Sequence, residues 1–324
     1  MSHKAKLIAA FATLYVVWGS TYLGIRIGLE AHMPPALMAA LRLVPAGLLL
    51  LGFAKWRGIP VRVRPRELRV IATTGVLLLV GGMFMIFLAE QYIPSGLAAL
   101  IVALQPLWIA GAETVLPDMD RPSALGYAGI ALGFIGLAVL LWPRLTLPGS
   151  GPQLLGSCIA IVATFIWMIG SVYSKRHPVR VDAIVATGYE MLAAGLVTLV
   201  IGVLKGEVPQ LLSGRVDVLP AASATAYLAV VGSCVAFTAF VWALRHAPAS
   251  KVMTYSFVNP VVAVFLGWLV LREPLDWWIV AGMAVIVAGV ALTTTAPTRP
   301  RPLAAADAAV ADAAAELPAE ASEA

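Results

Sequence analysis

Apolar runs of about 20 residues, the length that crosses a hydrocarbon core of about 30 Å, follow one another along almost the whole chain. Short polar connections separate them. The pattern predicts ten transmembrane helices over roughly 6–28, 35–54, 69–89, 95–116, 123–142, 153–174, 182–204, 220–243, 249–271 and 276–295. Pro34-Pro35, Pro94, Pro122, Pro152, Pro220, Pro248 and Pro274 fall where these runs begin, and there a missing N–H costs little. The first run follows Lys4 and Lys6, outlasts a signal peptide and has no convincing small-residue cleavage site; it reads as a retained signal-anchor helix. From Ala296 the composition shifts to alanine, proline and scattered acids, so 296–324 reads as a disordered Ala/Pro-rich cytoplasmic tail.

Two runs carry a polar amide and a proline at their centres, Gln105-Pro106 and Asn259-Pro260. Lipid cannot satisfy such groups. Proline-interrupted membrane helices at matching positions of two halves are a pointer to a transporter's substrate site. Other features recur at similar offsets. Pro94 matches Pro248, Trp18 and Arg26 match Trp167 and Lys175, and Gly129 and Gly136 match Gly282 and Gly289. Each half then holds five helices, and an odd number forces the second half to cross the membrane in the opposite sense. The expected fold is all-α and membrane-embedded: ten transmembrane helices as two inverted five-helix repeats, 6–142 and 153–295, around a central cavity.

Composition supports this picture. The chain is 60% hydrophobic and 12% charged, against roughly 25% charged in soluble domains, and mean hydropathy is +0.91. A soluble enzyme is excluded. The net charge of +5 resides in short connections, so nucleic acid is not an expected partner. Lys55, Arg57, Arg62, Arg64, Arg66, Arg69, Lys175, Arg176, Arg180, Arg245 and Lys251 all fall on the side that also holds Lys4 and Lys6, which places both termini in the cytoplasm. Cys158 and Cys234 lie inside apolar runs and every histidine lies at or beyond a helix end, so no disulfide, metal or cofactor is expected. No phosphate-binding GxxxxGK[ST] run is present to supply energy from a nucleotide.

The residues also resemble a known family. Tyr15-Val16-Val17-Trp18-Gly19-Ser20-Thr21-Tyr22, Arg42, Pro94-Ser95-Gly96, Gly170-Ser171-Val172-Tyr173, Glu190-Met191-Leu192-Ala193-Ala194-Gly195 and Tyr255 to Phe265 together resemble the EamA-domain permeases of the drug/metabolite transporter superfamily. The likeness spans residues 6 to 295. Leu116-Pro117-Asp118-Met119-Asp120 departs from the pattern that Leu271-Arg272-Glu273-Pro274-Leu275 keeps in the second half. The resemblance implies a ten-helix inverted-repeat fold with a central cavity. It implies a secondary transporter, an exporter by family analogy, of small amphipathic metabolites, amino acids or drugs by alternating access. The alternatives are an integral membrane enzyme acting on lipid and a passive channel. The short loops offer no catalytic cluster for the first, and polarity concentrated at the centre argues against the second. Proton coupling, and monomer against homodimer, stay open.

Asn259 and Gln105 are the first candidates for substrate binding, with Tyr255 one turn before Asn259 on the same face; buried amides also tie helix to helix in bundles. Arg42 and Glu190 are the ionisable residues deepest in predicted spans, and charge at that depth faces a cavity or a partner. Arg42 suits a carboxylate, Glu190 an amine or a coupling proton, and a structural ion pair between them is the alternative. Trp18 with Tyr15 and Tyr22 forms one aromatic stripe, and Trp167 with Thr164 and Ser171 the equivalent one; both indoles are too deep for an interfacial belt. Trp56, Trp142, Trp277 and Trp278, at span ends, suit that belt. Glu90, Glu113 and Glu273, near span ends, read as solvated or capping residues.

Overall fold

The computed structural model describes residues 3–115, 121–246 and 255–299. Helix α1 joins His3–Thr13, a wider turn Leu14–Trp18 and Gly19–Glu30. Next come α2, Pro35–Trp56, and α3, which runs through Pro65–Gly75, a wide stretch Val76–Phe84 and Met85–Ala89. The following pass is split into α4, Ser95–Val102, and α5, Gln105–Val115. Helices α6, Ala124–Thr146, α7, Gly151–Arg176, and α8, Ala183–Leu204, lead to a short α9, Glu207–Leu212. Helix α10 joins Val218–Tyr227, a wide turn Leu228–Val235 and Ala236–His246. Helices α11, Tyr255–Leu271, and α12, Trp277–Thr295, complete the bundle. Among the described residues nine helices are long and apolar enough to cross a membrane, and Val258–Leu271 is a shorter apolar one. Arg121–Pro122 pairs antiparallel with Thr298–Arg299. The departing loop at 116–120, residues 247–254 and the tail from 300 lie outside the described residues.

The two proline sites behave differently. The pass containing Pro106 is broken, with Ala103 and Leu104 between α4 and α5, so the proline occupies the first turn of a new helix, where its missing N–H is harmless. Pro260 sits inside a continuous α11. The expected pair of interruptions is therefore one interruption and one unbroken helix.

Two glycine seams draw helices together. A Cβ built on Gly289 of α12 would lie 2.5 Å from the Gly133 backbone nitrogen of α6, and one on Gly136 would lie 2.7 Å from that of Ile286. Between α2 and α8, a Cβ on Gly47 would meet the Gly188 carbonyl at 2.7 Å. Backbones in direct contact are the membrane use of small residues. The belt candidates Trp56, Trp142, Trp277 and Trp278 are all exposed at helix ends.

Helix α2 begins at Pro35, after Pro34, with no side-chain cap from its own sequence. Glu207, buried in α9, replaces one: a single carboxylate oxygen accepts from the N–H groups of Ala36 and Leu37, both at 2.9 Å. Replacing Glu207 with alanine is expected to cost about 1–2 kcal/mol, the range for a lost N-cap with charge at the helix dipole. Thermal melts in detergent read this directly, and Glu207→Gln, which keeps an acceptor oxygen, recovers part of it.

Candidate functional site

A cavity of about 570 Å³ lies within the bundle, a size usual for small-molecule sites. It is bounded by α1, α2, α3, α4, α5, α7, α11 and α12. It extends from Ile25, Ile86 and Ala99 to Thr293, Thr294 and Ala296 at the C-terminal end of α12.

Wide π-type turns, which widen a helix by one residue per turn and recur at functional sites, occur in α1 and α3, which bound this space, and in α10, which packs behind it. Trp18 ends the wide turn of α1. Its indole N–H donates to the Gly232 carbonyl, 3.3 Å away in the wide turn of α10. The next residue of that turn, Ser233, accepts from Arg42 Nε at 3.2 Å and donates to the Leu228 carbonyl at 3.0 Å. One irregular segment thus orients both the indole and the guanidinium. The Trp18 ring stands edge-on to Tyr255 at 4.8 Å and leans on Phe240 at 5.3 Å, arrangements that aromatic quadrupoles favour. On the other wall Trp167 lies against Gly82 in the wide stretch of α3, where a Cβ would come within 2.7 Å of the indole. Trp18→Phe keeps the ring and removes the N–H; a loss of about 1 kcal/mol in thermal stability is expected, as for one neutral hydrogen bond.

Gly19 brings α1 onto α11, since a Cβ there would meet Val262 at 2.7 Å. Beside this contact the Asn259 amide, assigned with its nitrogen toward two carbonyl oxygens, donates to Tyr255 at 3.1 Å and Tyr15 at 3.2 Å. Asn259 therefore lines the cavity and also ties α11 to α1. Gln105, half-buried, faces the same space from the first residue of α5.

Of the residues singled out from the sequence, Asn259, Tyr255, Gln105, Trp18, Tyr22, Trp167 and Arg42 line this one cavity. Thr164 and Ser171 line it too. Glu190 does not. Its backbone rests on Gly75 of α3, where a Cβ would come within 2.5 Å of the Glu190 carbonyl oxygen. Among the described residues neither Arg42 nor Glu190 takes part in an ion pair, so the two form no bridge. Arg42 is 7% exposed and is the one charged residue among the described residues lining the cavity. The sequence reading missed Gly232 and Ser233, although a Gly-Ser-Cys triplet inside an apolar run was a visible signal. It also missed the threonines of α12.

Beyond Ile25, Ile86 and Ala99 the bundle is sealed. Ala89, Glu90, Ile93 and Ser95 are all fully buried there. Glu273, in the connection after α11, caps α4: it accepts from the Ser95 N–H at 2.8 Å, the Ser95 hydroxyl at 3.0 Å and the Gly96 N–H at 3.2 Å. Glu90 is not solvated, contrary to expectation. Its neighbours Ala89 and Ile93 belong to the apolar core, and they carry the turn inward with them. Glu113 has no described side chain.

Comparison with known proteins agrees with this architecture. The model of the EamA-like transporter family matches residues 5–142 and 154–295. The Escherichia coli K12 protein named as an uncharacterized inner membrane transporter, YedA, is 37% identical over 299 residues, 89% of this chain and 90% of that one. The Bacillus subtilis transporter YvbV is 27% identical over 90% of this chain and 92% of its own length. A solved crystal structure with 23% identity superposes with a TM-score of 0.61, covering 90% of this chain and 97% of the other, and shares the fold. The chain is a multi-pass membrane protein and belongs to the EamA-like transporter family of the drug/metabolite transporter superfamily.

Proposed function

We propose that the protein is a secondary transporter, an exporter by analogy with its family, which carries small amphipathic molecules with an anionic end. The central cavity is its substrate site, exposed alternately by rocking of two inverted five-helix repeats, 6–142 and 153–295, with both termini in the cytoplasm. The observation that carries this reading is the convergence of aromatic, amide and guanidinium groups on one space from both family-matched segments. Trp18, Tyr22, Trp167 and Tyr255 supply walls for an apolar or flat body. Asn259 and Gln105 supply hydrogen bonds, and Arg42 a partner for a carboxylate. No acid lines the described cavity, which favours an anionic substrate over an amine. The close pairing of α2 with α8 and of α6 with α12, helices at equivalent places in the two matched segments, supports the repeat.

Flux in proteoliposomes tests the site. A panel of aromatic and aliphatic carboxylates, each paired with its neutral amide, is expected to show saturable movement of the acids. Asn259→Ala is expected to weaken half-saturation several-fold, since it removes both a cavity amide and the α11–α1 tie. Flux and half-saturation unchanged in both Asn259→Ala and Trp167→Ala would remove the cavity from the pathway. Tags on each terminus, probed in intact cells, test the topology; a periplasmic C-terminus overturns the ten-helix arrangement.

A further inference from the structure

Among the described residues Glu90 is the buried side chain left without a hydrogen-bond partner. It is 0% exposed, and neither carboxyl oxygen has a hydrogen-bond partner among the described residues. It sits one turn beyond Ile86 and so just past the sealed end of the cavity. The nearest cation does not neutralise it. Arg26 Nη1 donates to the backbone carbonyl of Glu90 at 2.5 Å, and Arg26 Nε is taken by Glu30 at 2.9 Å. Glu273, the carboxylate capping α4, lies close enough to repel a second negative charge. The groups facing Glu90 are Arg26, Glu30 and Tyr22 from α1 and Glu273 from beyond α11. The other neighbours of this turn are apolar or small: Phe87 sits in one cluster with Ala36 and Leu37 of α2, and Gly156 of α7 meets Tyr92 and Ile93.

An ionised carboxylate buried without partners costs several kcal/mol, whereas the neutral acid costs far less. We infer that Glu90 is a proton-binding site whose occupancy is tied to closure of this end: the carboxyl group is neutral while the end is sealed, and opening lets it give the proton to bulk water. One proton is bound on closing and one released on opening, with no other bond changed. The inference rests on the transport reading in taking this end to open at all, and within that reading it names the ion that accompanies the movement. It puts the titrating group at the seal, where the sequence alone had suggested Glu190.

Burial first, and the Glu273 charge second, raise Glu90 well above the usual carboxylate range, with Arg26 opposing. A carboxyl raised in the fold keeps its proton after the unfolded chain has lost it. Between the two pKa values the unfolded state therefore binds fewer protons, and stability falls as pH rises from about 4.5 through the folded value.

The test uses the full chain in nanodiscs with Cys158→Ser and Cys234→Ser. Ile93→Cys, at a fully buried position in the seal, reports opening to a water-soluble maleimide. Ser213→Cys, at an exposed position, corrects for thiol chemistry. The corrected labelling rate is expected to rise at least fivefold from pH 6 to pH 8.5, and to stay low at both in Glu90→Gln. The melting temperature is expected to fall over the same interval, and to fall less in Glu90→Gln. This second measurement also reports whether the variant folds. An equal rise in labelling with Glu90→Gln, or none in the protein that retains Glu90, overturns the inference. A pH-gated seal in a protein that moves no panel compound would sink the transport reading and leave this site standing. A transporter whose seal ignores pH would do the reverse.

Discussion

Arg42→Gln is expected to weaken carboxylate substrates by roughly 10- to 150-fold while leaving their neutral amides almost unchanged. The guanidinium is the one charged group on the described cavity wall. Ser233 engages its Nε, and among the described residues no carboxylate lies within ion-pair distance. An unpaired cation held in place at 7% exposure has no evident role in stability. Removing it relieves a desolvation cost, so the variant is expected to melt no lower than the parent. A hydrogen bond to a charged group contributes about 1.5–3 kcal/mol, which gives the quoted range. Arg42→Lys retains charge without the planar fork and is expected to fall between the two. The measurement is paired half-saturation for acid and amide in proteoliposomes. Equal loss for both would show that Arg42 holds the wall rather than the ligand.

Gly289→Val is expected to have the largest effect on the fold. The new side chain would meet Gly133 N at 2.5 Å and Gly129 O and Gly133 Cα at 2.8 Å. All three are backbone atoms and cannot swing aside, so α12 must back away from α6 along their whole contact. Overpacking of this kind costs about 1–3 kcal/mol and at times more. The variant is expected to melt several degrees lower and to accumulate poorly in membranes. Gly52→Val is the control, because a Cβ there meets nothing within 4 Å. Similar behaviour in both would show that the seam is not tight.

Nine membrane-length helices among the described residues and most of the cavity wall were legible because both depend on one-dimensional facts. A bilayer demands long apolar runs, and a polar or aromatic residue deep within one must face something other than lipid. This reasoning located Trp18, Trp167, Arg42, Gln105 and Asn259. It misplaced Glu190 because depth says how far a residue lies from the surface but not which way it points; the α8 face bearing it is taken by Gly75 of α3. The wide turns escaped notice because no residue type demands an extra residue per turn. Their use became visible only once Gly232 and Ser233 were seen beneath Trp18 and Arg42. Likewise a proline shows where a helix can break. Whether it does depends on its neighbours: α11 is laced to α1 through Gly19 and the Asn259 amide and stays whole. Glu90 looked like a loop residue since it follows the last apolar residue of its run, and only packing places it inside.

The acids that cap α2 and α4, Glu207 and Glu273, both belong to the second family-matched segment, and the helices they hold belong to the first. Both clasps sit at the sealed face, so parting the segments there must undo the pair. At about 1 kcal/mol for each lost cap, the two clasps together favour the shut form by a factor of roughly 30. On the transport reading, a solute arriving from that direction would meet a binding-competent form only in that small fraction and would half-saturate at a correspondingly higher concentration. On that reading the two clasps bias the molecule toward one side before any gradient is applied.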